Sequence, residues 1–126
     1  MINISRIPFS LKIERLGCID GELIRFHSPI TISKLLKAFP LVNRINSNSN
    51  NFFYIETGLT LGAEKQRSSF KKYDVAFFIQ NGSICIFNND IQTIPMNYLG
   101  KITNNYDLIL KIKPTDNVKI DITRNI

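Results

Sequence analysis

The stretch YDVAFFIQNGSICIF, residues 73–87, constrains the fold more than any other part of the chain. Two apolar runs flank Asn81-Gly82. An Asn-Gly pair between strands favours a two-residue type I′ turn, because both central residues must accept positive φ. Such a turn pairs Gln80 with Ser83, Ile79 with Ile84, Phe78 with Cys85, Phe77 with Ile86 and Ala76 with Phe87. Side chains alternate along a strand, so one face carries Val75, Phe77, Ile79, Ile84 and Ile86. The other carries Ala76, Phe78, Cys85 and Phe87. Both faces are apolar, whereas a sheet with one wet face alternates with polar residues. The aliphatic face is expected to form the core. The second face needs a cover of its own: a helix, the long segment 57–72, or a ligand.

Around this hairpin the chain reads as short strands with two short helices. Phe9, Leu11 and Ile13 alternate with Ser10, Lys12 and Glu14, as a half-buried strand requires, and Gly17 breaks the run. Residues 21–26 pair back on it as a second strand. In TISKLLKAFP the apolar positions Ile32, Leu35, Leu36 and Phe39 follow helical spacing, with Thr31 as the expected N-cap and Pro40 as the stop. Residues 41–45, 52–56, 96–102 and 118–122 read as further strands. NSNSNN (46–51) reads as a polar loop, 57–72 as a long irregular connection, and NNYDLILKIKP as a short helix ending before Pro114. The 126 residues make a single domain, 1–126, with one core. Many short strands with two capping helices imply a mostly β, closed antiparallel barrel.

The composition narrows the function classes. No apolar run approaches the ~20 residues that span a bilayer, and the first residues lack the unbroken apolar centre of a signal peptide. A cytoplasmic protein without membrane association is expected. The formal charge is +6, but the sixteen Lys and Arg are mostly scattered. Lys65, Arg67, Lys71 and Lys72, interleaved with Phe70 and Tyr73, form the one concentration, and they are the candidate surface for RNA. A solvated basic loop explains the same run.

Enzymatic motifs are absent: no G-x-S-x-G, HExxH, P-loop or Gly-x-Gly occurs. Cys18 and Cys85 are too far apart for a CxxC pair, and with the single His27 they make no metal site. Cys85 sits between Ile84 and Ile86 with no base beside it, so its thiol is expected to titrate high rather than act as a nucleophile. Neither a catalytic residue nor a cofactor is therefore assigned. Arg44 within LVNRI and Glu56 at the end of FFYIE are charges next to apolar runs, and they read either as an exposed pair at strand ends or as polar anchors for a ligand. Together with Phe78, Cys85 and Phe87 they define the candidate ligand site, an outer groove for a peptide or small molecule. A homodimer covering the same face is the other expectation for that surface.

Several segments taken together resemble a family of small archaeal and bacterial proteins with a cyclophilin-like barrel. They are GELIRFHSPITISKLLKAFPL, NRINSNSNNFFYIE, LGAEKQRSS, YDVAFF, GSICIF and IPMNYLGKI, in order over most of the chain. The resemblance implies a closed barrel of about eight strands with a helix at each end. The chain departs from the family pattern in several places. Phe77-Phe78-Ile79 stands where the family has Tyr-Trp-Pro, and Asn48-Ser49 lies near a family Trp-Gly. Tyr73 replaces a glycine before the aspartate, and Asn88-Asn89 replaces another. The resemblance also raises prolyl isomerisation, whose family motif continues F-H with an arginine and later Q-G-G-D. Here Phe26-His27 runs into Ser28-Pro29, no Q-G-G-D exists, and Arg44 would have to serve instead. The barrier is ~18–20 kcal/mol, and lowering it needs a donor aimed at the prolyl nitrogen. A binding module without efficient catalysis is therefore the expected function, with prolyl isomerase as the enzyme alternative.

Overall fold

Alternation builds the first hairpin, but its second strand starts at Gly17 rather than at residue 21 and ends at Ile24, short of Arg25 and Phe26. In the computed structural model, which describes residues 5–48 and 51–123, β1 (Arg6–Ile13) pairs antiparallel with β2 (Gly17–Ile24). This pairing buries Phe9, Leu11, Ile13, Ile19 and Leu23. A short 3-10 turn, Arg25–His27, leads into helix α1 (Pro29–Ala38). Ser28, not the expected Thr31, occupies the N-cap position, and Thr31 lies buried inside the first turn. Pro29 explains the earlier start, since the first helical N–H has no intrahelical partner to lose. Ile32 and Leu35 face the core, and the helix ends where Phe39 turns extended before Pro40.

The remaining strands are β3 (Leu41–Arg44), β4 (Asn46–Asn48), β5 (Phe52–Glu56), β6 (Gln66–Phe70), β7 (Asp74–Phe78), β8 (Ser83–Phe87), β9 (Ile91–Asn104) and β10 (Asn117–Ile122). A 3-10 helix, Tyr106–Lys111, separates the last two. Two segments expected to be irregular contain strands. Asn46–Asn48 pairs with β5, and β6 lies within the long 57–72 connection; Ser49 and Asn50 fall outside the described residues. Among the described residues no helix is long and apolar enough to cross a membrane.

The closed barrel of about eight strands does not form. The strands make one ten-stranded antiparallel sheet in the order β3-β10-β1-β2-β9-β7-β8-β5-β4, with β6 added on β9, and the sheet is open. Its two end strands, β3 and β4, are consecutive in the chain, with only Ile45 between them. At Ile45 the backbone bonds sideways instead of continuing a ladder: its N–H donates to Asp116 O and its carbonyl accepts from Thr115 N–H. The polypeptide itself, not a row of strand-to-strand hydrogen bonds, therefore links the two rims.

The hairpin β7–β8 carries a second correction. Phe78 pairs with Ser83, Phe77 with Ile84, Ala76 with Cys85 and Val75 with Ile86, leaving the four residues Ile79–Gly82 as the loop. Gly82 alone has positive φ, +65°, so the tight Asn-Gly turn is replaced by a wider one. Glycine is needed there for a further reason: a Cβ would overlap the carbonyl oxygen of Leu59. The register is offset by two residues from expectation, and an offset of two leaves every side chain on its expected face. Val75, Phe77, Ile84 and Ile86 accordingly join the main core inside the curled sheet. Ala76, Cys85 and Phe87 join a second, outer cluster with Phe52, Phe70, Met96 and Tyr98.

Strand β9 organises this outer cluster. Gly100 pairs with Val75 on one side and Leu23 on the other, while Asn97 pairs with Phe77 and Gln66. β7 thus runs along one edge of β9, and β2 and β6 share the opposite edge end to end. At the seam between them, Ser28 Oγ donates to Tyr98 O at 2.8 Å. Gly100 permits the close passage of β2, because a Cβ there would overlap Glu22 O.

Candidate functional site

The residues expected to line an outer groove do not share one open surface. Phe87 is fully buried, with its ring stacked on Phe70 at 4.5 Å between centroids. Cys85 is equally buried beneath the same cover, and burial pushes its thiol up to about 12. Phe78 is half-buried at the rim of the outer cluster. Arg44 and Glu56 are exposed on β3 and β5, and among the described residues no ion pair joins them. The link between these strands is Asn43 Nδ2, which donates to Glu56 O at 3.0 Å. Of the three covers conceived for the second apolar face, the chain supplies one from its own 57–72 segment, the Phe70 side chain of β6.

A polar network places β6. Residues 57–65 run between β5 and β6 as a strap, with Leu59 and Leu61 packed on the main core. The Glu64 carboxylate fastens its end at the first turn of α1. Oε1 accepts from Ile30 N–H at 3.0 Å, while Oε2 accepts from Thr31 N–H and Thr31 Oγ1, both at 2.6 Å. Burial pushes Glu64 up, but the hydrogen bonds from Thr31 and Ile30 and the nearby Lys65 charge outweigh it and hold the carboxyl below its usual range. Asn97, fully buried on β9, completes the network. Its Oδ1 accepts from Glu64 N–H, and its Nδ2 donates to Thr31 Oγ1 and Gly62 O. Neither Glu64 nor Asn97 stood out in the sequence.

The strap delivers Lys65 and Arg67 to the seam between β2 and β6, where they meet His27 and Tyr98. The Arg67 guanidinium lies 4.1 Å above the Tyr98 ring, and the His27 ring meets the same tyrosine edge-on at 4.6 Å. Phe26, 59% exposed, packs on His27 at 4.4 Å, and Lys65 Nζ donates to Phe26 O at 3.2 Å. Lys65 adopts φ +38°, a strained value for a residue with a side chain. Burial and the positive charges of Arg67 and Lys65 push the His27 imidazole below its ordinary value. Asp74, raised chiefly by its burial, interacts with Arg67 and Tyr98 from the β7 side. Burial, reinforced by the Asp74 charge, raises the Tyr98 hydroxyl in turn. The result is a surface with two cations, an imidazole whose protonation they and its burial disfavour, a partly offsetting carboxylate and an exposed aromatic ring.

Of the four basic residues expected as one patch, Lys65 and Arg67 belong to this seam. Lys71 and Lys72 lie beyond the other end of β6, so Lys65 and Lys71 stand roughly 20 Å apart along an extended backbone. There the Lys71 amide donates to Asp74 Oδ2, the Lys72 amide donates to Asp90 Oδ1, and the Lys72 ammonium sits 5.2 Å from the Tyr73 ring centre. His27 and Tyr98 were missed as partners of this run because only the sheet topology brings them to it. A separate shallow cavity of about 380 Å³ lies over β1 and β10, lined by Lys12, Glu14, Val42 and Lys119 among others. It brings together charges of both signs without a buried polar group. Among the described residues no cluster of His, Cys, Asp or Glu could hold a metal ion.

No family model and no curated protein sequence matches the chain. Solved structures do. The hypothetical protein AF2241 from Archaeoglobus fulgidus, known from its solution structure, superposes with a TM-score of 0.77 at 18% identity, over 94% of this chain and 96% of that one. McbB, solved in complex with tryptophan, gives a TM-score of 0.76 at 12% identity, over 94% of this chain but 45% of the McbB chain. At such identities the likeness carries the fold, and the chain shares the architecture of AF2241 and of part of McbB.

Proposed function

We propose that the protein is a binding module that takes an anionic peptide or small molecule at the seam formed by Phe26, His27, Lys65, Arg67 and Tyr98. The observation behind this reading is the exposed Arg67, whose guanidinium lies 4.1 Å above the Tyr98 ring with no carboxylate in ion-pair contact among the described residues. A guanidinium placed this way offers paired donors to a carboxylate or phosphate, with Lys65 adding charge nearby. Phe26 supplies an apolar platform for whatever the anionic group is attached to. The hydroxyl next to His27, that of Ser28, is buried and donates to Tyr98 O, and the one buried thiol titrates far too high to react, so binding accounts for the arrangement better than catalysis does.

N-acetyltryptophan, with an aromatic ring and a carboxylate, is a suitable first probe, and its neutral amide is the control. The ring is also the one that McbB holds as tryptophan. Amide shifts in a two-dimensional NMR titration should cluster at residues 26–28, 65–67 and 96–98. Arg67→Ala should weaken binding about tenfold, roughly the worth of one charge-assisted hydrogen bond. Shifts that avoid these residues, or an Arg67→Ala variant that binds as well as the parent, would remove the proposal.

A further inference from the structure

We infer that the free edge of β6 binds an acidic peptide segment in extended conformation, adding it to the sheet as a further antiparallel strand. This rests on the seam proposed above as an anion site and names the class of ligand that would use it. Strand β6 pairs with β9 along one edge, and among the described residues no strand pairs with its other edge. Arg67, Ser68 and Ser69 are exposed along it, the pairing with β9 shifts register between Arg67 and Ser69, and among the described residues the backbone of this five-residue strand makes no hydrogen bond to another segment on its outward side. Unpaired edge groups of this kind are a template for another extended chain.

Charge selects the occupant. KQRSSFKK, residues 65–72, carries four cations and no acid. Lys65 and Arg67 flank one end of the strand, and Lys71 and Lys72 the other. Asp74 and Asp90 offset part of the charge at the second end through their bonds to the Lys71 and Lys72 amides. A second copy of this chain pairing through the same edge would bring eight cations together, which disfavours self-association. An extended segment with carboxylates every second residue instead presents one row of acids toward these cations. Its first carboxylate would meet Arg67 beside Tyr98, which ties the edge to the seam. The strand should span about five residues, roughly 17 Å.

The test uses a seven-residue peptide alternating Glu and Thr, together with two versions N-methylated at alternate residues, one in each register. In an antiparallel pair only alternate residues turn their N–H toward the partner strand. One methylated version should therefore lose at least tenfold in affinity by calorimetry while the other binds like the parent peptide. A Lys71→Glu, Lys72→Glu variant should weaken the parent peptide at least threefold and leave N-acetyltryptophan unaffected. If both methylated versions bind equally well, the edge is not used and only the anion seam stands. Failure of all three peptides while N-acetyltryptophan still binds would likewise overturn the edge and leave the seam. If neither the peptides nor N-acetyltryptophan bind, the seam reading falls with it. Tighter binding of a single-stranded RNA of equal charge, or sedimentation showing a dimer that the peptide dissociates, would overturn the peptide as occupant.

Discussion

His27 is the side chain through which the seam reports its own charge. Its imidazole titrates below the ordinary value because burial and the two neighbouring cations penalise the protonated form. An unfolded chain, with His27 near 6.5, therefore binds a proton more readily than the folded one. Above that pH His27 contributes no difference. As the pH falls from 6.5 through its lower folded value, the folded state loses stability. A ring-proton NMR titration should give a midpoint below 6.5, moving upward in Lys65→Gln, where one of the two repelling charges is gone. Saturation with an anion at Arg67 should move it upward as well. A midpoint above 6.5 in the free protein would contradict the electrostatics described for the seam. Tyr73 shows a different residue-scale tension: it holds φ +79°, a conformation that costs a side-chain-bearing residue about 1–2 kcal/mol. Its ring is retained against the main core and lies 4.6 Å from that of Tyr106.

Among the elements, β6 carries the greatest consequence for its size. Phe70 closes the outer cluster over Phe87 and Cys85, and truncating it should be costly out of proportion to five residues of strand. Phe70→Ala should lose about 3–5 kcal/mol of stability, measured by urea denaturation. At pH 8 a thiol-reactive dye should label the parent chain at the exposed Cys18 alone, because a buried thiol near pKa 12 is ionised in about one molecule in ten thousand. Labelling at Cys85 in Phe70→Ala under native conditions would show that β6 is its cover; an unlabelled Cys85 would assign that role elsewhere. Much at this scale was legible in the chain. The face sorting of residues 73–87 holds despite the shifted register because the shift is an even number of residues. The helix at Ile32 and Leu35 followed from its spacing. Strand β6 was hidden because QRSSF has one apolar residue and no alternation, and it is a strand only because β9 pairs with it. Glu64 and Asn97 gave no signal, since a single polar residue in an irregular segment has no period to read. Lys65 and Arg67 were visible as charge, while their partnership with His27 and Tyr98 depends on contacts roughly 40 residues earlier and 30 residues later in the chain.

At the scale of the whole molecule, the open sheet depends on Ile45. This fully buried residue carries the chain from one rim of the sheet to the other and bonds to Thr115 and Asp116 as it passes. Ile45→Ala should cost about 2–5 kcal/mol by removing a core side chain at that crossing. The strands next to the two rims, β10 and β5, both contribute to the main core, so unfolding should remain one transition, with far- and near-ultraviolet circular dichroism giving the same denaturation midpoint. Separated midpoints would mean that the β3–β10 side melts independently of the β5–β8 side. The fastening of Glu64 to the first turn of α1 has a consequence of its own, because the next residue in the chain is Lys65. Three hydrogen bonds thus fix the point from which the cations and the β6 edge set out. A ligand arriving there meets groups whose conformational freedom was surrendered during folding, so less of its contact energy is lost to ordering the protein.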